Sequence, residues 1–95
     1  MNAKAKGTRV EHKARTLLEA LGYNVTRSAA SLGAFDLVAI HPTHTRCVQV
    51  KANRPPDRLE REQLQLLAQA MPPAMSVEVW VWKDREKHPS VEVVR

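Results

Sequence analysis

The run Phe35-Asp36-Leu37-Val38-Ala39-Ile40 constrains this chain more than any other stretch. It is apolar throughout except for one carboxylate, and His41-Pro42-Thr43-His44-Thr45 closes it with a turn signal. Residues 46–52 form the return leg, so residues 35–41 and 46–52 are expected to pair as a β-hairpin. The other segments then have a sheet to cover.

Val10, Ala14, Leu17, Leu18 and Leu21 recur at helical spacing and predict a helix over residues 8–21. Thr8 and Glu11 stand in capping-box positions, and Gly22 stops the helix. Residues 23–28 read as a first strand with Val25 inward, followed by a small-residue loop over 29–34 that holds Ser31 and Gly33. Beyond the Pro55-Pro56 break, Asp57 and Glu60 form a second capping pattern. The helix expected over residues 58–70 turns Leu59, Gln63, Leu66, Leu67 and Ala70 inward, and Pro72-Pro73 ends it. Residues 75–82 read as a fourth strand and 91–94 as a short fifth. The order helix, three strands, helix, two strands implies an α/β fold, a mixed central sheet of about five strands flanked by helices. The chain has no repeats, low-complexity tracts or long linkers, so residues 1–95 are expected to form one domain.

Fifteen Lys and Arg against ten Asp and Glu give a formal charge of +5, which favours a polyanionic partner because each phosphate neutralised releases counterions. The cations fall into two clusters: Lys4, Lys6, Arg9, Lys13 and Arg15 near the start, and Arg54, Arg58 and Arg61 after residue 52. Two separated clusters suit a groove or a pair of DNA arms. Lys4, Lys6, Arg9, Arg27, Arg54 and Arg58 are the expected DNA contacts. No apolar run approaches the roughly 20 residues that span a bilayer, and the start is polar and basic, so an intracellular protein is expected. The single cysteine, Cys47, lies in a strand and reads as a buried structural thiol. His12, His41, His44 and His88 lack zinc-like spacing and read as surface residues.

Chemistry enters where polar residues interrupt apolar strands. Asp36 heads a buried run, where a carboxylate is costly unless paired or bound to metal. Gln49 and Lys51 alternate with Val48, Val50 and Ala52, so both project from one face, and the hairpin brings that face beside Asp36. Glu11 borders the apolar stripe of the first helix and can reach the sheet edge. Read blandly, Glu11 is a capping residue and Asp36 with Lys51 a buried salt bridge. Read chemically, phosphodiester hydrolysis needs a hard divalent cation on oxygen ligands and gains from a cation beside the attacking water or the scissile phosphate.

These residues together resemble the PD-(D/E)xK nuclease superfamily and, within it, the archaeal Holliday-junction resolvases. The likeness rests on Lys6-Gly7, Glu11, Arg27-Ser28-Ala29-Ala30-Ser31, Asp36-Leu37-Val38-Ala39 and Gln49-Val50-Lys51, and it is close over residues 1–52. It implies a restriction-endonuclease-like core and paired incision of four-way DNA junctions. It also implies a metal set of Glu11, Asp36, Gln49 and Val50 holding Mg²⁺, for which Mn²⁺ would substitute. Lys51 would be the catalytic lysine, Ser31 matches a loop serine implicated in cleavage, and Arg27 matches a loop arginine that meets the phosphate backbone. Gln49 departs from the usual Glu and leaves the site one negative charge short, although an amide oxygen still ligates Mg²⁺. The chain also stops after the fifth strand, where those proteins usually continue into a further helical segment. A different nicking or repair endonuclease of the superfamily, or an inactive DNA-binding module, is the alternative.

A homodimer is expected as well. In residues 75–82, Met75, Val77, Val79 and Val81 suit the core, which leaves Trp80 and Trp82 on the opposite face as a candidate partner surface. Resolving a junction takes two matched cuts, which two-fold symmetry supplies.

Overall fold

The first apolar stripe folds as helix α1 (Ala3–Ala20) in the computed structural model, which describes residues 3–28 and 34–95, with side chains from Arg9 onward. Val10, Ala14 and Leu18 are its buried residues among those whose side chains are described. The helix begins five residues earlier than the sequence predicts, so Thr8 and Glu11 lie within it rather than at its start. Helix propagation costs little once nucleated, and nothing in residues 3–7 breaks it except the tolerable Gly7. The stop is where the glycine puts it. Tyr23 N–H donates to the Leu18 carbonyl at 3.1 Å and Gly22 N–H to the Glu19 carbonyl at 3.0 Å, with Gly22 at φ +95°. These are the paired bonds of a Schellman cap.

Five strands follow in chain order across one sheet: β1 (Asn24–Arg27), β2 (Leu37–His41), β3 (His44–Ala52), β4 (Met75–Trp82) and β5 (Ser90–Val94). The expected hairpin is β2–β3, antiparallel, and its turn narrows to Pro42 and Thr43 because His41 already pairs with His44. β3 and β4 are parallel, joined by helix α2 (Arg58–Ala70), while β1–β2 and β4–β5 are antiparallel. The sheet is therefore mixed, as the element order implies.

The helices cover opposite faces. Against α1 pack Val25, Leu37, Ala39, Val48, Trp80 and Trp82; on the α2 side lie Ala34, Leu64, Val77, Val79 and Val94. Both tryptophans are buried, at 1% and 3% exposure, so the partner surface expected at residues 80 and 82 does not exist. The alternation along β4 is read correctly, but α1 lies over the indole face. The Trp80 indole N–H donates to Glu78 and the Trp82 indole N–H to the Glu86 carbonyl, so neither polar edge is left unsatisfied.

The buried side of α2 also differs from expectation. Leu64 is fully buried and Leu67, Ala68 and Met71 are partly so, whereas Leu59 and Leu66 are 76% and 69% exposed. The sequence offers two leucine stripes, and polar anchors choose between them. Asp57 caps the helix in a complete capping box, Glu60 reaches Lys51 of β3 and Arg61 reaches Glu92 of β5. Residues 60, 61, 64, 67, 68 and 71 share one helical face, so turning 60 and 61 to the sheet turns Leu64 inward.

Near the start of β3 and β4, the buried Glu78 carboxylate accepts from Arg46 Nη2 at 2.6 Å and Nε at 2.8 Å, from Ser76 Oγ at 2.7 Å and from Trp80 Nε1 at 3.0 Å. Burial pushes its pKa up, but these hydrogen bonds and the Arg46 charge outweigh that and hold it below the ordinary range. His44 joins the edge of this network through Ser76 at 3.0 Å, so it is not the free surface residue expected. Cys47 is buried, as expected, and burial raises its thiol pKa. No helix among the described residues is long and apolar enough to cross a membrane.

Candidate active site

The far end of β3 carries the alternation that matters. Cys47, Gln49 and Lys51 stand in register with Val77, Val79 and Val81 of β4, whose side chains belong to the α2 side. Gln49 and Lys51 thus share a face, as the two-residue period requires. The last residue pair between β2 and β3 is Leu37 with Val48, so β3 runs on past the start of β2. Into that gap comes Asp36, whose Oδ2 accepts the Val50 N–H at 2.7 Å while its own N–H donates to the Val48 carbonyl at 2.9 Å. The N–H and C=O of one strand residue point to the same side, so the Val50 carbonyl opens toward the same gap.

Burial raises the Asp36 pKa above the ordinary carboxylate value. The Val50 N–H and the Lys51 and Arg27 charges work against that rise, and Glu60 adds to it. Gln49 is buried too, and its Oε1 has no hydrogen-bond partner among the described residues. An orphaned acceptor in a sheet interior is costly, and it is the kind of group a hard cation satisfies. Asp36, the Gln49 amide oxygen and the Val50 carbonyl are the oxygen donors at this end of β3 that could hold a hard cation.

Lys51 does not point into water. Its Nζ lies 2.6 Å from Glu60 Oε2 at the first turn of α2. The sequence marks Glu60 only as a capping residue. The signal was the break at Pro55-Pro56, which turns the chain back so that residue 60 faces residue 51.

Glu11 comes from the α1 side, and its carboxylate is paired with Arg27 Nε at 2.8 Å. Glu11, His12, Arg15, Arg27 and Leu37 line a cavity of about 140 Å³. Arg27 links the two halves of the site, since it binds Glu11 and its charge also acts on Asp36. Among the described residues, no three of His, Cys, Asp and Glu converge as a metal cage. The expected set has only two such groups, Glu11 and Asp36, and fills out with amide and carbonyl oxygens. Ser31 lies outside the described residues, as do the side chains of Lys4 and Lys6. Arg9, Arg54 and Arg58 are exposed, with Arg58 paired to Glu62 at 3.2 Å.

Comparison with known proteins bears on the fold and the family. A search of curated proteins by sequence returns no relative. A solved structure of Hjc from Archaeoglobus fulgidus, described as a Holliday junction resolvase from an archaeal hyperthermophile, shares the fold at a TM-score of 0.69 and 22% identity. The likeness covers 94% of this chain and 71% of that one. The profile of the archaeal Holliday junction resolvases (Hjc) matches residues 2–88, a span that takes in both helices, four strands and every residue of the candidate site. With the family's profile running through nearly the whole sequence, the chain belongs to the archaeal Holliday junction resolvase family.

Proposed function

We propose that this resolvase is a Mg²⁺-dependent endodeoxyribonuclease whose working residues are Asp36, Gln49, Val50 and Lys51, with Glu11 completing the metal set. One observation carries the reading: Gln49 Oε1 is buried with no hydrogen-bond partner among the described residues, next in sequence to the Val50 N–H that Asp36 accepts and two residues from Lys51. Mn²⁺ would substitute for Mg²⁺, because both accept oxygen donors. When bound, the ion would activate water and neutralise charge developing on the phosphate. The protein's own part is to hold those oxygens in place and keep the Lys51 ammonium near the reacting phosphate. Arg27, Arg54 and Arg58, with Lys4, Lys6 and Arg9, would grip the backbone of the junction arms.

Paired incision calls for a homodimer, and its surface must be sought away from the tryptophans. Leu59 and Leu66 lie seven residues apart on the outer side of α2, and they are the two most exposed large hydrophobic residues described. They are the proposed contact between copies.

A labelled four-way junction and its linear duplex arms, each incubated with Mg²⁺ and with EDTA, test the reading. Symmetric nicks in the junction alone, abolished by EDTA, are expected. Cutting of plain duplex would favour a different nuclease activity, and tight binding without cutting an inactive module. Gln49→Glu is expected to stay active and to bind Mg²⁺ more tightly through the added charge. A folded but inactive variant would show that the neutral amide serves another purpose.

A further inference from the structure

Lys51 has no acidic neighbour along its own strand, since residues 44–52 contain neither Asp nor Glu. Gln49, two residues back on the same face, is neutral and offers it no charge. A lysine ammonium rides on a flexible four-carbon stem, and an unheld one samples many positions at the cost of any defined geometry. In this structure the ammonium is held, but from another element. Glu60 Oε2 accepts from Lys51 Nζ at 2.6 Å, and both side chains are half-buried, which protects the pair from the screening that weakens surface pairs.

The Glu60 carboxylate is itself fixed. Its Oε1 accepts the Asp57 N–H at 3.1 Å, while Asp57 Oδ1 accepts the Glu60 N–H at 2.9 Å. One oxygen therefore serves the helix and the other serves the lysine. Five residues separate Lys51 from Asp57, among them a left-handed Asn53 (φ 67°) and a buried Pro56, so the segment between the lysine and the cap is short and constrained. Asn53 adds a further tie, since its Oδ1 accepts the Asp84 N–H at 2.8 Å.

We infer that Glu60 is a positioning residue for strand cleavage: it holds the Lys51 ammonium beside Asp36, and the backbone N–H of residue 57, bound to its other oxygen, fixes its aim. This rests on the reading of Lys51 as the catalytic lysine.

The proposal separates two jobs of one side chain, and so does its test. Glutamine at residue 60 still closes a capping box but carries no charge for Lys51. Asp57→Ala removes the side-chain half of the box but keeps the backbone N–H that holds Glu60, so the Lys51–Glu60 pair stays in place. Wild type, Glu60→Gln, Asp57→Ala and Lys51→Ala are compared by single-turnover cleavage of a labelled four-way junction with protein in excess and Mg²⁺ present. Junction Kd in EDTA and thermal melting are measured alongside. Glu60→Gln is expected to cleave about ten- to a hundredfold more slowly, the scale of a misplaced catalytic group, with Kd unaltered and melting lowered no more than in Asp57→Ala. Asp57→Ala is expected to melt lower and to cleave at the wild-type rate. A Glu60→Gln protein as fast as wild type would overturn the inference. So would an Asp57→Ala protein slowed as much as Glu60→Gln, because the helix cap alone would then explain the effect. If Lys51→Ala cleaves like wild type, the reading of Lys51 falls and takes this inference with it. That outcome is distinct from an inactive Lys51→Ala beside an unimpaired Glu60→Gln, in which only the role of Glu60 is lost.

Discussion

The Asp36 carboxylate accepts the Val50 N–H at 2.7 Å, where β3 has outrun its partner strand and a backbone donor would otherwise go unpaired. The bond ties the one acid of the hairpin to the residue between Gln49 and Lys51. It gives Asp36 a structural partner as well as a proposed place in the metal set, and those two roles can be separated.

Asp36→Asn keeps an oxygen that can accept the Val50 N–H but removes a charge that burial disfavours. The folded-state pKa of Asp36 is raised, so its ionisation destabilises the native state at neutral pH, and that penalty fades as pH falls through the raised value. The variant is therefore expected to melt at or above the wild-type temperature at pH 7 while junction cleavage is lost and junction binding stays nearly intact. Melting curves and cleavage gels on the same preparations check this. A variant that still cuts would remove Asp36 from the chemistry.

Arg27 is well exposed although paired with Glu11, and such exposed pairs contribute little to stability. Arg27→Ala is expected to leave the melting temperature within a few degrees of wild type. It should also weaken junction binding and flatten the plot of log affinity against log salt by about one unit. An unchanged slope would mean that Arg27 does not meet a phosphate.

Glu78 gives the opposite pH dependence to Asp36. Its folded-state pKa is depressed, so its contribution is present above the unfolded value near 4.5 and is lost as pH falls through the lower folded one. Glu78→Gln is expected to remove that acid-sensitive component. It leaves the Arg46 charge without its buried partner, which typically costs about 3–5 kcal/mol. Melting temperature followed from pH 7 downward in both proteins tests the pair, and parallel curves would contradict it.

The packing of α2 makes a sharper contrast. Leu64→Ala is expected to destabilise by about 2–5 kcal/mol, whereas Leu59→Ala and Leu66→Ala should stay within about 0.5 kcal/mol of wild type at concentrations where the chain is a monomer. Chemical denaturation of the three variants decides. If Leu59→Ala or Leu66→Ala lowers stability only as protein concentration rises, the outer stripe of α2 is a contact between copies.

Local chemistry made much of this protein legible in its sequence. The apolar stripe of α1, the glycine that ends it, the β2–β3 hairpin, the Asp57 cap and the alternation of Gln49 and Lys51 each depend on residues within one or two turns of one another. Backbone geometry and side-chain periodicity fix such features before any long-range contact forms. Tertiary structure decided what lies between elements. The phase of α2 was ambiguous because its sequence carries two leucine stripes, and ties to Lys51 and Glu92 selected the one through Leu64. Strand alternation puts Trp80 and Trp82 on one face, but only the path of α1 over that face buries them. The pairs Glu11–Arg27, Lys51–Glu60 and Arg46–Glu78 join separate elements, from 9 to 32 residues apart in sequence. Nothing local to either partner specifies such a pair, because the parallel register of β3 on β4 and the docking of two helices on opposite faces bring the charges together.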